Sequence, residues 1–337
     1  MRRNVTKAAS WCHRLLPFTP SRGLSTRPVD SAPSQALTDI AAFRRDIFLP
    51  AIPFHFKNDG ISLPHGLPAA SRWFSLPEPL DGPASLSSHM NEFMDWPFPF
   101  ELISAPSDGT PPVVGFREWL SKSPDLTDQI LAGILQATTA DLNSHSFFQL
   151  HAPLKLLAKA LEFNREQRQQ SLQPILLYIA QSSISDLPPA LQNDLPTPQL
   201  VQQAGNGDVY NSSIWLGTEP TYTPLHRDPN PNLFYQLCSR KVVRLLPPEL
   251  GDRVFFEVQV QIRQQASSRI RTTEMMEGAE RAVLHEAVWA NEKLDDKVHE
   301  AELGVGDALF IPKGWWHSVK SASSQGHLNA SANWWFR

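Results

Sequence analysis

The sequence predicts an all-β core, a double-stranded β-helix or jelly roll, with helices before it and a helical insertion within it. Three observations carry that expectation. Short apolar segments at 209–217, 223–228, 233–239, 241–246, 254–262, 298–303, 307–312, 315–321 and 327–336 follow one another closely, separated by Gly and Pro turns. Close-spaced short strands of this kind build barrels and sandwiches, and two facing sheets of them make a jelly roll. The N-terminal half instead carries apolar residues at helical spacing, and a charge-rich stretch at 263–294 interrupts the strands.

A chain of 337 residues with 41% hydrophobic residues suffices for one large domain or two smaller ones with a genuine core. No apolar run approaches the length of a membrane-spanning helix, so no membrane insertion is expected. The two cysteines, Cys12 and Cys238, exclude a disulfide framework.

Residues 1–29 contain Arg2, Arg3, Lys7, Arg14, Arg22 and Arg27 and no acidic residue, with Ser and Thr frequent and Trp11, Leu15, Leu16 and Phe18 interspersed. This is the composition of a mitochondrial transit peptide, and Arg22-Gly23-Leu24-Ser25 resembles a matrix-processing site. A disordered basic tail is the plainer alternative. The expected location is the mitochondrial matrix, or cytoplasm or nucleus if the leader is not functional. The whole chain has 30 basic and 34 acidic residues, a net charge of −4; removal of the six leader cations leaves 24 against 34, or −10. An acidic protein is a poor electrostatic partner for phosphate backbones, so DNA is not expected to bind.

Residues 30–170 form an N-terminal flank. A helix is expected at 36–49, ending at Pro50. The Pro- and aromatic-rich stretch 50–112 reads as irregular packing against the core. Val114–Leu120 opens a helical patch, residues 125–137 have apolar residues at helical spacing, and 151–163 repeat the pattern through Leu154, Leu156, Leu157 and Leu161. His145 and His151 read as surface or capping residues. The catalytic jelly roll is assigned to residues 171–337, beginning with a strand at Gln173–Gln181. Within it, Met275, Met276, Ala279, Val283 and Ala287 suggest a helical stripe in the 263–294 insertion.

The candidate site begins at Thr223-Pro224-Leu225-His226-Arg227-Asp228. Strand alternation turns His226 and Asp228 inward together and Arg227 outward. A His-x-Asp alone also occurs in solvated turns. Downstream, Gly306-Asp307-Ala308-Leu309-Phe310-Ile311-Pro312-Lys313-Gly314-Trp315-Trp316-His317 reads as strand, tight turn, strand, with His317 held inward. Two imidazoles and a carboxylate form a facial triad, the donor set of non-haem Fe(II) sites with open positions.

These motifs resemble those of JmjC-domain (cupin-like) oxygenases, in particular the small hydroxylase branch that includes the asparaginyl hydroxylase inhibiting hypoxia-inducible factor. The resemblance rests on Thr223–Asp228, Asn232, Lys241 ahead of Pro247-Pro248, Gly306–His317 and Asn333–Trp335, with a looser match from Tyr178. Arg227 departs from it, since the family usually has an aromatic there. The resemblance implies Fe(II) held by His226, Asp228 and His317, with 2-oxoglutarate as co-substrate and O2 as oxidant. It implies Lys241 as partner of the distal carboxylate of 2-oxoglutarate, helped by Tyr178 and Thr223, and Asn232 and Asn333 near the metal. The function it implies is hydroxylation of a side chain in a protein or peptide substrate. A hydroxylase of tRNA bases with RNA as partner, a histone lysine demethylase and a non-catalytic cupin-like binding protein are the alternatives.

Overall fold

The computed structural model describes residues 26–58, 66–75, 83–104, 110–140, 142, 146–170, 172–263, 266–269, 277–290, 294 and 297–337. The leader reading at 1–25, His145, Met275 and Met276 lie outside the described residues. The N-terminal half supplies β1 (Arg27–Pro28), β2 (Ser31–Pro33), β3 (Phe54–Lys57), β4 (Phe74–Ser75), β5 (Ser85–Leu86), β6 (Pro97–Ile103) and β7 (Phe147–Pro153). The C-terminal half supplies β8 (Leu176–Ser183), β9 (Val209–Thr218), β10 (Tyr222–Arg227), β11 (Asn232–Cys238) and β12 (Lys241–Leu246). It ends with β13 (His299–Leu303), β14 (Ala308–Ile311), β15 (Trp316–Ser321) and β16 (Leu328–Phe336).

Two large sheets face each other, as the jelly-roll expectation requires. The minor sheet has the order β1–β13–β12–β15–β10, and the major sheet β2–β3–β14–β11–β16–β9–β8–β6–β7. Alternation explains the three apolar layers. Leu233, Tyr235 and Leu237 of β11 and Ala330, Ala332 and Trp334 of β16 turn outward into a large cluster beneath the N-terminal helices. Val243 and Leu245 of β12, Ala301 and Leu303 of β13 and Leu309 and Ile311 of β14 turn inward and fill part of the barrel. The opposite parity of β16 sends Asn329, Ser331, Asn333 and Trp335 inward. A fully buried strand with polar residues on its inner face marks an interior built to bind something, since such groups are costly to bury unpaired.

Helices α1 (Pro112–Ser121), α2 (Leu126–Ile134) and α3 (Lys155–Gln169) lie where helical spacing placed them, with one correction. Residues 151–153 extend β7 and only Lys155 onward is helical; His151 is exposed on that strand. Ser34–Phe48 is helical but broken into short turns. The stretch 50–112 is less irregular than expected, because β3 and β6 join the major sheet. The end of the stretch read as a leader, Arg27–Pro28, pairs with β13, and Val29 is buried inside the barrel.

The clearest correction is 254–262, read as a strand from its alternating Val and Phe. It belongs to helix α4 (Pro248–Gln261). Pro248 at its first turn suits a helix start, where no backbone donor is needed. Leu250, Val254, Phe255 and Val258 make its buried stripe, packed against Leu225, Leu246 and Trp316 on the outer face of the minor sheet. The insertion is helical as expected, as α5 (Gly278–His285). Its buried stripe runs through Leu284, Val288 and Trp289, with Val283 and Ala287 partly buried.

Candidate metal centre

β10 is an edge strand, which tolerates Pro224. Its pairing with β15 aligns Thr223 with Val319 and His226 with His317, with a register shift between them. The bulge lets Thr223 and His226 both face inward, while Leu225 packs into the outer cluster. Opposite, Gly314 at φ 84° closes the Pro312–Trp315 turn and starts β15 with His317 inward. The left-handed backbone there favours glycine.

The three donors converge. His226 Nε2 lies 3.8 Å from Asp228 Oδ1, and His317 Nε2 lies 3.5 Å from Asp228 Oδ2. The imidazole rings are 4.2 Å apart at 53°. All three candidate ligand atoms fall within 4.8 Å of one another. His226 Nδ1 lies 2.9 Å from the Pro224 carbonyl and His317 Nδ1 3.4 Å from that of Trp315. An Nδ1–H donated to a carbonyl leaves the Nε2 lone pair free for a metal. Burial, and then the neighbouring His226, lower the pKa of His317, which favours the neutral ring a metal requires. Asp228 Oδ2 accepts from Trp335 Nε1 at 2.7 Å and Asn232 Nδ2 at 3.0 Å. Asn232 Oδ1 in turn accepts from Asn333 Nδ2 at 2.9 Å. The two asparagines therefore act as an orienting chain behind Asp228. The Oδ1 of Asn333 is buried without a partner among the described residues.

The triad opens onto a small cavity of about 30 Å3. All eight residues singled out from the sequence line it: Tyr178, Thr223, His226, Asp228, Asn232, Lys241, His317 and Asn333. Lys241 is 3% exposed, and its Nζ donates to Ser331 Oγ at 2.7 Å and Tyr178 Oη at 3.0 Å. No carboxylate pairs with it among the described residues. Burial pulls its pKa down to about 7, against the upward influence of Glu219. Arg244, the other basic residue of β12, is unsuited to that role. It faces the opposite side, bound to Glu300 at 2.7 Å and to the Val288 carbonyl at 2.7 Å. Arg227 turns outward as expected, paired with Asp252 at 2.9 Å. Sequence reasoning missed Ser331, Trp215 and Phe234; the inward polar parity of β16 was the available signal for Ser331.

The donor set suits a divalent transition metal: two imidazole nitrogens and a carboxylate oxygen, with their orientation fixed from behind. A buried lysine in the same cavity, bonded to the Ser331 and Tyr178 hydroxyls, suits an anion. Fe(II) and 2-oxoglutarate therefore fit these residues.

Residues 117–337 match the family described as "Cupin-like domain", and the chain belongs to that family. It is 26% identical over 183 residues to lysine-specific demethylase JMJ30 of Arabidopsis thaliana, covering 54% of this chain and 38% of that protein. It is 28% identical over 177 residues to JmjC domain-containing protein F of Dictyostelium discoideum, covering 47% of this chain and 35% of that protein. Lysine-specific demethylase 8 of Danio rerio is 28% identical over 163 residues, 47% of this chain and 36% of that protein. The matched segment spans little more than a third of the length of these relatives. The resemblance to JmjC proteins drawn from the motifs is thereby borne out.

Proposed function

We propose that the chain is a 2-oxoglutarate- and Fe(II)-dependent oxygenase that hydroxylates a side chain of a protein substrate. The observation that carries this reading is a buried lysine, with no carboxylate partner among the described residues, in the same cavity as a His-Asp-His triad. His226, Asp228 and His317 would hold Fe(II), and Asn232 and Trp335 keep the Asp228 carboxylate oriented. Lys241 would receive the distal carboxylate of 2-oxoglutarate, with the hydroxyls of Tyr178 and Thr223 as further donors. Phe234, Trp215 and Val319 restrict water around that pair, which strengthens it. Bound Fe(II), with 2-oxoglutarate and O2, supplies the oxidising chemistry that inserts oxygen into a C–H bond.

Demethylation is the second reading, favoured by the names of two of the relatives. It shares the same first step on an N-methyl group. The net negative charge argues against an RNA substrate, and the intact ligand set against a non-catalytic binding protein. The test is succinate formation by purified protein with Fe(II) and 2-oxoglutarate, across peptides, methylated peptides and RNAs, with mass analysis of the products. A gain of one oxygen on a peptide supports hydroxylation. Formaldehyde release supports demethylation, and activity on RNA alone overturns the protein-substrate reading. We also propose a mitochondrial matrix location, supported by the basic, acid-free composition of residues 1–29.

A further inference from the structure

A second cavity, of about 450 Å3, is lined by Arg27, Arg253, Lys297 and His299, with Glu249 and Leu250 beside them. Its place follows from the register of the minor sheet. His226 pairs with His317, His317 with Leu245, Leu245 with His299, and His299 with Arg27. These residues form one row across the sheet, level with the metal centre. Val29, Ala301 and Leu303 point into the barrel. Arg27 and His299, two residues from Val29 and Ala301, share that face. The His299 ring also meets Trp315 edge-on at 5.4 Å. With neighbouring strands about 4.8 Å apart, His299 lies about 10 Å and Arg27 about 14 Å from His317.

The cavity is cationic. Arg27, Arg253 and Lys297 face one carboxylate, Glu249. None of the three side chains makes a hydrogen bond or ion pair among the described residues. Burial and the Arg27 cation lower the pKa of His299, against the upward influence of the nearby Asp30 carboxylate.

We propose that this cavity docks acidic residues of the polypeptide substrate beside the metal centre. The proposal rests on the oxygenase reading and specifies its substrate class. A single concave cavity on a chain of net charge −4 suits a short acidic stretch rather than a long phosphate backbone. An extended peptide advances about 3.3 Å per residue, so the acidic side chains belong about three to four positions from the hydroxylated residue.

The test is fluorescence anisotropy of a labelled oligoglutamate peptide with the full chain. The variant combines Arg27→Gln, Arg253→Gln and Lys297→Gln. The expected result is binding that weakens with salt and falls about tenfold or more in the variant. Binding of Mn(II) with the inert 2-oxoglutarate analogue N-oxalylglycine stays equal in the two proteins. Equal peptide binding by the variant, absence of oligoglutamate binding, or tighter binding of an oligouridylate of the same charge would overturn the proposal. Salt-sensitive peptide binding lost in the variant, in a protein that binds neither Mn(II) nor N-oxalylglycine, would support the docking cavity while refuting the oxygenase reading.

Discussion

Replacing Lys241 with alanine removes the buried cation proposed to meet the distal carboxylate of 2-oxoglutarate. Losing one partner of a buried ion pair costs about 3–5 kcal/mol. At about 1.4 kcal/mol per tenfold, that is roughly two to three and a half orders of magnitude in affinity for 2-oxoglutarate. Metal affinity stays nearly intact, because Lys241 is not a ligand. Lys241→Arg keeps the charge but not the compact donor that meets Ser331 and Tyr178 at 2.7 and 3.0 Å, so affinity should fall less than in Lys241→Ala. Affinity also depends on pH. With the lysine pKa lowered by burial to about 7, its cationic fraction falls as pH rises through that value. Co-substrate affinity then falls, by up to about tenfold per pH unit. Stability without the anion runs the other way. From about 7 to the ordinary 10.5, the folded chain holds fewer protons at this site than the unfolded chain, so this group favours folding as pH rises. The assay is titration calorimetry with Mn(II) and N-oxalylglycine. Unchanged affinity in Lys241→Ala, or affinity independent of pH between 6 and 9 (roughly one unit below that pKa to two above), would refute the reasoning.

Three further outcomes are expected. Trp335→Phe deletes the 2.7 Å hydrogen bond to Asp228 and should weaken metal binding about 10–100-fold, read by competition with a chelating dye. A Cβ at Gly217 would overlap the Leu177 carbonyl and Tyr178. Gly217→Ala should therefore destabilise the fold by about 1–3 kcal/mol, seen as a lower Tm, and weaken N-oxalylglycine binding by displacing Tyr178. Residues 1–29 fused to a reporter should direct it to mitochondria with shortening near Ser25; a full-length cytosolic reporter would sink the location proposal.

The site was more legible than its surroundings. His226, Asp228 and His317 sit on a strand and at strand ends, where period-two spacing and a glycine turn translate directly into direction. Lys241 was readable by resemblance; its partner Ser331 carries no motif, and only the polar parity of Asn329, Ser331 and Asn333 along β16 signalled it. The major sheet was underestimated, since β6 contains Pro97 and Pro99, which read as turn signals yet sit on a strand. The helix at Pro248–Gln261 was misread because Phe256 and Val260, 68% and 59% exposed, complete an alternating pattern. Those two residues are apolar without being core. The buried Leu250, Val254 and Val258 repeat every four residues, and packing on Trp316 selects the helix over local β propensity.

Titration of the purified protein with Mn(II), then with N-oxalylglycine, tests the central claim most directly. One metal ion per chain should bind, and the analogue should bind tightly only once the metal is present. His226→Ala and His317→Ala should each abolish metal binding while the chain keeps its native circular dichroism. Full metal binding by either folded variant, or analogue binding independent of the metal, would contradict the account.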